Sequence, residues 1–351
     1  MARVQDSWLD KNQTITYLTM KKLYTFLAIA CVAFSANAQI VNKDSTWTFG
    51  GFTSLQTNQV ALVNWAAGGE NSFSATALVQ LYANLHKKGW KWENRLDLGY
   101  GLMYTKSYDW QKNEDKIDFL SKLARPIANS KVFSYAAEAN FKTQFQSGYT
   151  LPNDSTAISR FLAPGYLIAS LGVEYKPVEW ITVYISPVTG KFTFVNDQKL
   201  ADAGSFGVKG AEYDPTTGLK TQDGEGLNAE FGAYFKFGLK KDIMKNVTLA
   251  TDLNLFNNYT DKDADNRKNI DVDWQTSINM KVNKWLTVSL FTHLIYDNDI
   301  NIAITDSDGN AVFLERADGT QFLDGDGNPI QKVGARIQFK EVAGVGLSYK
   351  F

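Results

Sequence analysis

The chain contains only two histidines, His86 and His293, and these are the first residues to test for catalytic chemistry. A histidine activates a serine only when the two side chains come within hydrogen-bond reach. Two lysines follow His86 and two apolar residues follow His293, so neither has a serine two positions on. His293 is near Asp297 and Asp299, but this Asp–His set lacks a matching pair on a second strand. We therefore expect no enzyme activity.

An acidic run offers the next chemistry, calcium binding. Asp261, Asp263 and Asp265 match the first three oxygen positions of a calcium loop. Asn266 stands where such a loop needs glycine, and Val272 stands where it needs a bidentate glutamate. The sequence predicts no dedicated metal site and no cofactor, and only adventitious calcium binding stays open.

Charged side chains recur at every second position in several segments. With 36 Lys and Arg against 37 Asp and Glu, the net charge is −1, and no basic field points to nucleic acid. Alternate positions share one face of a strand. We expect the following residues to share the inward face of a closed sheet: Lys91, Glu93, Arg95, Asp97, Glu138, Lys142, Glu230, Lys236, Asp252, Asp271, Asp273, Lys281, His293 and Lys340.

Apolar residues fill the positions between these charges. The clearest segment sets Ile270, Val272 and Trp274 against Asp271 and Asp273, with the period of two that a strand imposes. Twelve segments of this kind are predicted as strands: 46–56, 73–87, 90–105, 117–125, 133–146, 166–176, 181–195, 227–240, 247–258, 270–281, 286–296 and 339–351. In the seventh, Pro187 to Gly190 breaks the phase and predicts a bulge.

The connections between these strands indicate how the sheet closes. Short turns are expected at 86–89, 128–131, 176–180, 241–246 and 283–285. Long polar loops are expected at 57–71, 107–116, 150–164, 196–226, 259–269 and 297–338, the last a β-extension turned by Asp-Gly pairs at 308–309, 318–319, 324–325 and 326–327. Regular alternation of short and long predicts an all-β, transmembrane, antiparallel up-and-down β-barrel of about twelve strands with both termini periplasmic.

Aromatic residues near the predicted strand ends support this interpretation over a soluble β-sandwich. They fit two interfacial girdles, formed by Trp47, Trp90, Trp92, Trp180, Trp285 and Tyr349 at the inner rim and by Tyr104 and Tyr296 at the outer rim.

The N-terminal region has the layout of a secretory signal peptide. Lysines follow Met20, an apolar run extends from 23 to 34, and Ala36 and Ala38 occupy the −3 and −1 positions before Gln39. We interpret 1–19 as a mis-assigned extension, 20–38 as the signal peptide and 39–351 as the barrel domain. The single cysteine, Cys31, would be removed with the signal.

The last predicted strand ends on an aromatic residue. Val345, Leu347, Tyr349 and Phe351 alternate with small or charged residues. This pattern resembles the terminal strand of outer-membrane barrels, which the barrel assembly machinery reads as its signal.

Three further blocks resemble an uncharacterised outer-membrane barrel family, a domain of unknown function typical of Bacteroidota. The blocks lie at 64–72, at 161–167 with 170–176, and at 185–195 with 200–201 and 204–207. The resemblance implies a barrel in the outer membrane of a Gram-negative bacterium, over most of the mature chain, and supplies no catalytic residues.

Function follows less directly from these patterns. Near-equal inward charges leave two outcomes, a narrow channel lined by mixed charge or a lumen closed by paired side chains. We expect a small channel or translocation component for polar solutes. The alternatives are a closed docking barrel whose long outer loops bind a protein partner and, ranked last, an outer-membrane hydrolase.

Overall fold

The computed structural model describes residues 47–62, 70–214, 217–306, 310–316, 319–322 and 329–351. Twelve long antiparallel strands form a closed barrel, which confirms the predicted fold class. The strands are β1 (Trp47–Val60), β2 (Ser72–Lys87), β3 (Trp90–Thr105), β4 (Asp109–Pro126), β5 (Phe133–Thr143), β6 (Gly165–Val178), β7 (Ile181–Phe194), β8 (Leu227–Met244), β9 (Val247–Asn258), β10 (Asp271–Lys281), β11 (Leu286–Tyr296) and β12 (Gln338–Lys350).

Each strand pairs with the strands before and after it in the chain, and β12 pairs with β1. This is the up-and-down order that the sequence predicts. The closing pair of strands, β12 and β1, extends to residue 351, where Phe351 and Gly51 exchange two backbone hydrogen bonds of 3.0 and 3.1 Å. Closure leaves no free edge in the sheet, which removes a site for aggregation.

The alternation in sequence becomes an alternation of surfaces. In β12, Phe339 and Leu347 are 62% and 57% exposed on the outside of the barrel, whereas Gly344 and Gly346 are buried. Apolar side chains therefore cover the outer wall, and small or polar ones face inward.

One predicted loop is wrong. The region 107–116 belongs mainly to β4, and only Lys106 to Tyr108 connect it to β3. Gly101 pairs with Glu114 but Leu102 pairs with Lys112, so β4 contains one extra residue, Asn113, at a bulge opposite β3. The bulge shifts the alternating phase, and for that reason the pattern did not extend past it. The other connections keep the predicted alternation of short turns and long loops.

The bulge predicted around Pro187 is confirmed. The pairing of β6 with β7 shifts between Leu171 and Val173, opposite that region. Backbone comes very close there, since a Cβ on Gly172 would lie 2.1 Å from the carbonyl oxygen of Ile185. Gly232 in β8 is tighter still.

Small elements fold within the long loops. They are a five-residue helix α1 (Gln198–Asp202), 3-10 turns at Ser205–Gly207 and Asn266–Lys268, and short ladders joining Gly148–Tyr149 to Ala157–Ser159, Glu212–Tyr213 to Lys220–Gln222 and Asn301–Ala303 to Val333–Ala335. Further bridges, such as Phe313 with Gln331, confirm a β-extension in the last loop. Among the described residues no helix is long and apolar enough to cross a membrane.

Several predictions fall outside the described residues. These are the extension 1–19, the signal peptide 20–38 with Ala36, Ala38 and Gln39, most of the block 64–72, and the Asp-Gly pairs except Gly319.

Candidate functional site: the lumen and its long-loop mouth

Ion pairs join strands that are not neighbours in the wall. The Nζ of Lys142 on β5 lies 2.7 Å from Oδ2 of Asp273 on β10, five strands away around the ring. The Nζ of Lys236 on β8 lies 2.8 Å from Oε1 of Glu138 on β5, three strands away. Side chains of such distant strands can meet only through the interior, so these two pairs cross the lumen.

A second group of charges lies nearer the short-turn end. Lys122 on β4 binds Glu93 on β3 at 2.9 Å and also binds Glu174 on β6. Nearby, the Nε of Arg95 lies 3.0 Å from Oδ2 of Asp97. Lys122 thereby links three strands through one ammonium group.

Lys191 is the centre of the group nearest the long loops. Its Nζ lies 2.7 Å from Asp271, 2.8 Å from Asp297 and 3.4 Å from Glu230. The ammonium group also lies 5.4 Å from the ring centre of Phe256. One base here meets three carboxylates from β8, β10 and the residue after β11, so acid exceeds base within this group.

A further ion pair crosses the lumen between Lys340 on β12 and Glu114 on β4, which are four strands apart around the ring. Three of the inward residues that the sequence indicates form no ion pair within the described part of the chain. Lys91 and Asp252 are half-buried, and Lys281 is exposed at the short-turn end of β10.

Aromatic rings fill the space beside these charges. Tyr184 and Tyr234, on β7 and β8, are almost fully buried with ring centres 6.3 Å apart, and Phe256 packs in the same cluster with two alanines. The hydroxyl of Tyr234 donates to Oδ1 of Asn254 at 2.7 Å. Packed tyrosines and crossed ion pairs together occupy the middle of the lumen.

His293 takes part in this network. Its Nε2 lies 2.8 Å from Oδ1 of Asp273, whose other oxygen binds Lys142. Within the described residues its ring has no hydrogen bond to a serine, threonine or cysteine. Asp297, which the sequence set beside His293, instead binds Lys191.

Two of the three aspartates in the calcium-like run, Asp261 and Asp263, accept hydrogen bonds from the backbone of the run itself. Asp261 Oδ1 accepts from the amide of Asp263 at 2.8 Å, and Asp263 Oδ1 accepts from the amide of Asp265 at 3.0 Å. These are local turns of the kind aspartate favours in loops. Nowhere in the described ranges do three or more acidic, histidine or cysteine side chains form a group suited to a metal.

The loop between β7 and β8 folds over the barrel mouth as a small packed unit. Asp197 caps α1 by accepting from the amides of Lys199 and Leu200. Asp202 accepts from Lys220 at 2.8 Å, and from Gln198 and the Gly224 amide. These hydrogen bonds lower the pKa of Asp202 to about 2, with that from Lys220 first among them.

A polar cavity of about 390 Å³ lies under this loop. It is lined by polar side chains from three separate regions of the chain, namely Asn228, Asn258, Asp261, Asn298, Asp299 and Asn301. Burial, and then the negative charge of Asp297, raises the pKa of Asp299. No periodic pattern marks this site, because only folding of the loops assembles it.

The strand predicted as an assembly signal, β12, lies where the barrel closes by pairing with β1. Val345 and Leu347 point outward from β12, and the Phe351 ring covers Gly51, whose added Cβ would lie 2.5 Å from the ring. Tyr349 stacks beside Phe351, with ring centres 6.2 Å apart.

Residues 57–149 match the family model described as a protein of unknown function, DUF3078. The predicted resemblance to a domain of unknown function is confirmed over this range, which includes the block at 64–72. The match is narrower than the sequence suggested, because the blocks from 161 onward lie outside it.

None of the curated proteins is a match for the chain. Among solved structures, an outer-membrane channel from Pseudomonas putida F1 is similar at 9% identity and a TM-score of 0.37, covering 90% of this chain and 98% of that one. The translocator domain of the autotransporter NalP from Neisseria meningitidis is similar at 8% identity and a TM-score of 0.30, covering 95% and 98%. A FadL homologue from Pseudomonas aeruginosa, at 9% identity and a TM-score of 0.30, covers 87% and 89%. At these scores the barrel described above rests on its own strand pairing.

Proposed function

We propose that the chain is an outer-membrane barrel that is closed in its resting state and acts through binding at its long-loop end. The observation that carries this proposal is the set of ion pairs across the lumen. Lys142 with Asp273 and Lys236 with Glu138 join opposite parts of the wall, and the buried tyrosines fill the space between them. A solute would have to separate these pairs to pass.

The outer wall supports the membrane part of the proposal. Large apolar side chains are exposed on most of the strands, for example Leu171 at 60% and Val188 at 63%. Soluble monomers rarely expose contiguous apolar patches larger than a few hundred Å². A belt of this extent is stable only against an apolar environment, and a lipid bilayer supplies one.

Aromatic side chains at the short-turn rim support the same placement. Trp90, Trp92 and Trp285 are exposed there, and Lys241 lies over the Trp180 ring at 4.2 Å. Such amphipathic rings prefer the membrane–water interface. We place the short-turn end and both termini in the periplasm of a Gram-negative, Bacteroidota-type cell, with Val345 to Phe351 recognised by the assembly machinery.

A small gated channel is the second candidate, and the polarity of the lumen favours it. The bridging groups are lysine–carboxylate pairs, which water or a permeating ion can replace, whereas an apolar core offers no such exchange. Both candidates require the same membrane-inserted barrel.

Conductance in planar lipid bilayers separates the two candidates. We expect the wild-type barrel to be silent, and the double variant Lys142→Ala with Lys236→Ala to conduct, because it removes two crossings of the lumen. Lys268→Ala, which alters a lysine outside the lumen, is the matched control and should stay silent. Steady ion flow through the folded wild-type protein would refute the closed state and establish the channel.

A further inference from the structure

The cavity at the long-loop end contains amide side chains that the protein itself does not use. Asn228, Asn298 and Asn301 line it, and within the described residues none of the three side chains forms a hydrogen bond. Asn228 and Asn298 are half-buried, and Asn301 is exposed. Their grouping around one cavity therefore offers a ligand several amide groups that make no hydrogen bond within the described protein.

Amides select for a particular chemistry. Each asparagine offers two N–H donors and one carbonyl acceptor. A hydroxyl group both donates and accepts, and it therefore pairs with an amide in either direction. A cavity of about 390 Å³ is within the usual range of small-molecule sites, about 300–1,000 Å³. Its polar walls do not suit an apolar ligand.

Charge narrows the ligand further. Asp261 and Asp299 line the cavity, and Glu230 lies close by, where it accepts from Asn258 at 3.0 Å. Among the described residues that line the cavity, the only base is Lys262, which is exposed. The neighbouring Lys191 is already shared among three carboxylates, so it does not offset the acidic charge. The resulting field attracts cations and repels anions.

We propose that this cavity binds a small, hydroxyl-rich organic cation of the amino-sugar class. Asn228, Asn298 and Asn301 bind its hydroxyl groups, and Asp261 and Asp299 bind its ammonium group. The site deepens the proposed function, on which it rests, by naming the class of ligand received at the long-loop end.

Three sugars of similar shape and different charge test the assignment. Glucosamine, glucose and glucuronate are titrated into the full-length folded barrel in detergent micelles by calorimetry. We expect glucosamine to bind, glucose to bind at least about tenfold more weakly, and glucuronate not to bind. Equal binding of the three, or no binding of glucosamine, would overturn the assignment.

Variants separate the amides from the charges. Joint replacement of Asn228, Asn298 and Asn301 by alanine should abolish glucosamine binding. Asp261→Asn with Asp299→Asn should reduce the preference for glucosamine over glucose to less than twofold. Gln222→Ala, an exposed change in the same long loop, is the matched control and should bind like wild type.

If the triple variant bound glucosamine with the same affinity as the wild type, the assignment of the site to this cavity would be refuted, even though the protein binds the sugar. Folding of each variant is checked by its heat-dependent mobility in electrophoresis. Failure of sugar binding in a barrel that is silent in bilayers would remove only this inference, whereas ion flow through the wild type would remove the proposed closed state.

Discussion

Replacing Lys191 by methionine is the sharpest test of the network inside the barrel. Methionine keeps most of the side-chain volume and removes the charge. Asp271, Asp297 and Glu230 would then face one another across the lumen without the ammonium group that now lies 2.7 to 3.4 Å from each. The change isolates electrostatics from packing.

The size of the effect follows from these distances. At an effective dielectric constant of about 20, one contact near 3 Å contributes roughly 5 kcal/mol of gross attraction. Desolvation of the ammonium and carboxylate groups cancels much of that gain. Removing one partner of a buried pair costs about 3–5 kcal/mol in practice. We expect the free energy of unfolding of Lys191→Met to fall by that amount at pH 7.

Urea-induced unfolding from lipid vesicles measures this loss. The deficit should shrink at pH 4, because carboxylates that gain a proton no longer repel one another. A variant that fails to insert at pH 7 is therefore inserted and measured at the lower pH. Lys268→Met is the matched control, since that side chain is 82% exposed and lies 3.9 Å from Asp265. A loss below about 1 kcal/mol at pH 7, or a loss independent of pH, would refute the reasoning.

Two further predictions concern the wall and the mouth. Gly232→Ala should destabilise the barrel by about 1–3 kcal/mol or more in the same unfolding assay, because its Cβ would lie 1.8 Å from the Asn257 carbonyl oxygen. Gly238→Ala is the control and should stay within about 1 kcal/mol of wild type, because its Cβ would lie 3.4 Å from the nearest atom, Oδ1 of Asp252. Asp202→Ala should speed tryptic cleavage in the loop between β7 and β8 several-fold. Asp223→Ala is the control and should not, because Asp223 binds Lys220 but makes no hydrogen bond to Gln198 or Gly224. The pKa of Asp202 is lowered from its ordinary value to about 2, so the stability that its carboxylate gives the loop is full above pH 4 and is lost as the pH falls through 2. Protection of the loop amides from hydrogen exchange should therefore be the same from pH 4 to pH 7. Weaker protection at pH 4 would contradict the assignment.

Sequence reasoning was strongest where a strand repeats its pattern without interruption. The bounds of β3, β9 and β11 match those predicted, because a period of two over eleven or more residues leaves little choice of register. It failed at β4, where the extra residue near Asn113 reverses the phase. The fold is therefore readable from local pattern until a bulge intervenes.

The partners inside the barrel were beyond that reasoning. The pattern indicates that Lys142 and Asp273 both face inward, but their meeting depends on the stagger of strands between them. Glu114 was missed because it fell in a predicted loop. Asp297 was considered only beside His293, and not among the inward charges, because it follows the end of β11. The amide cavity has even less signal, since its walls come from three loops that the chain brings together only on folding.

The ion pairs between distant strands also determine how the barrel wall responds to force. A barrel held only by neighbouring ladders peels apart one hairpin at a time when it is pulled from an end. Here tension on β12 is passed through Lys340 to Glu114 on β4, and tension on β5 is passed through Lys142 to Asp273 on β10. Strands far apart around the ring therefore bear load together, and extraction from the membrane should proceed in a few large ruptures.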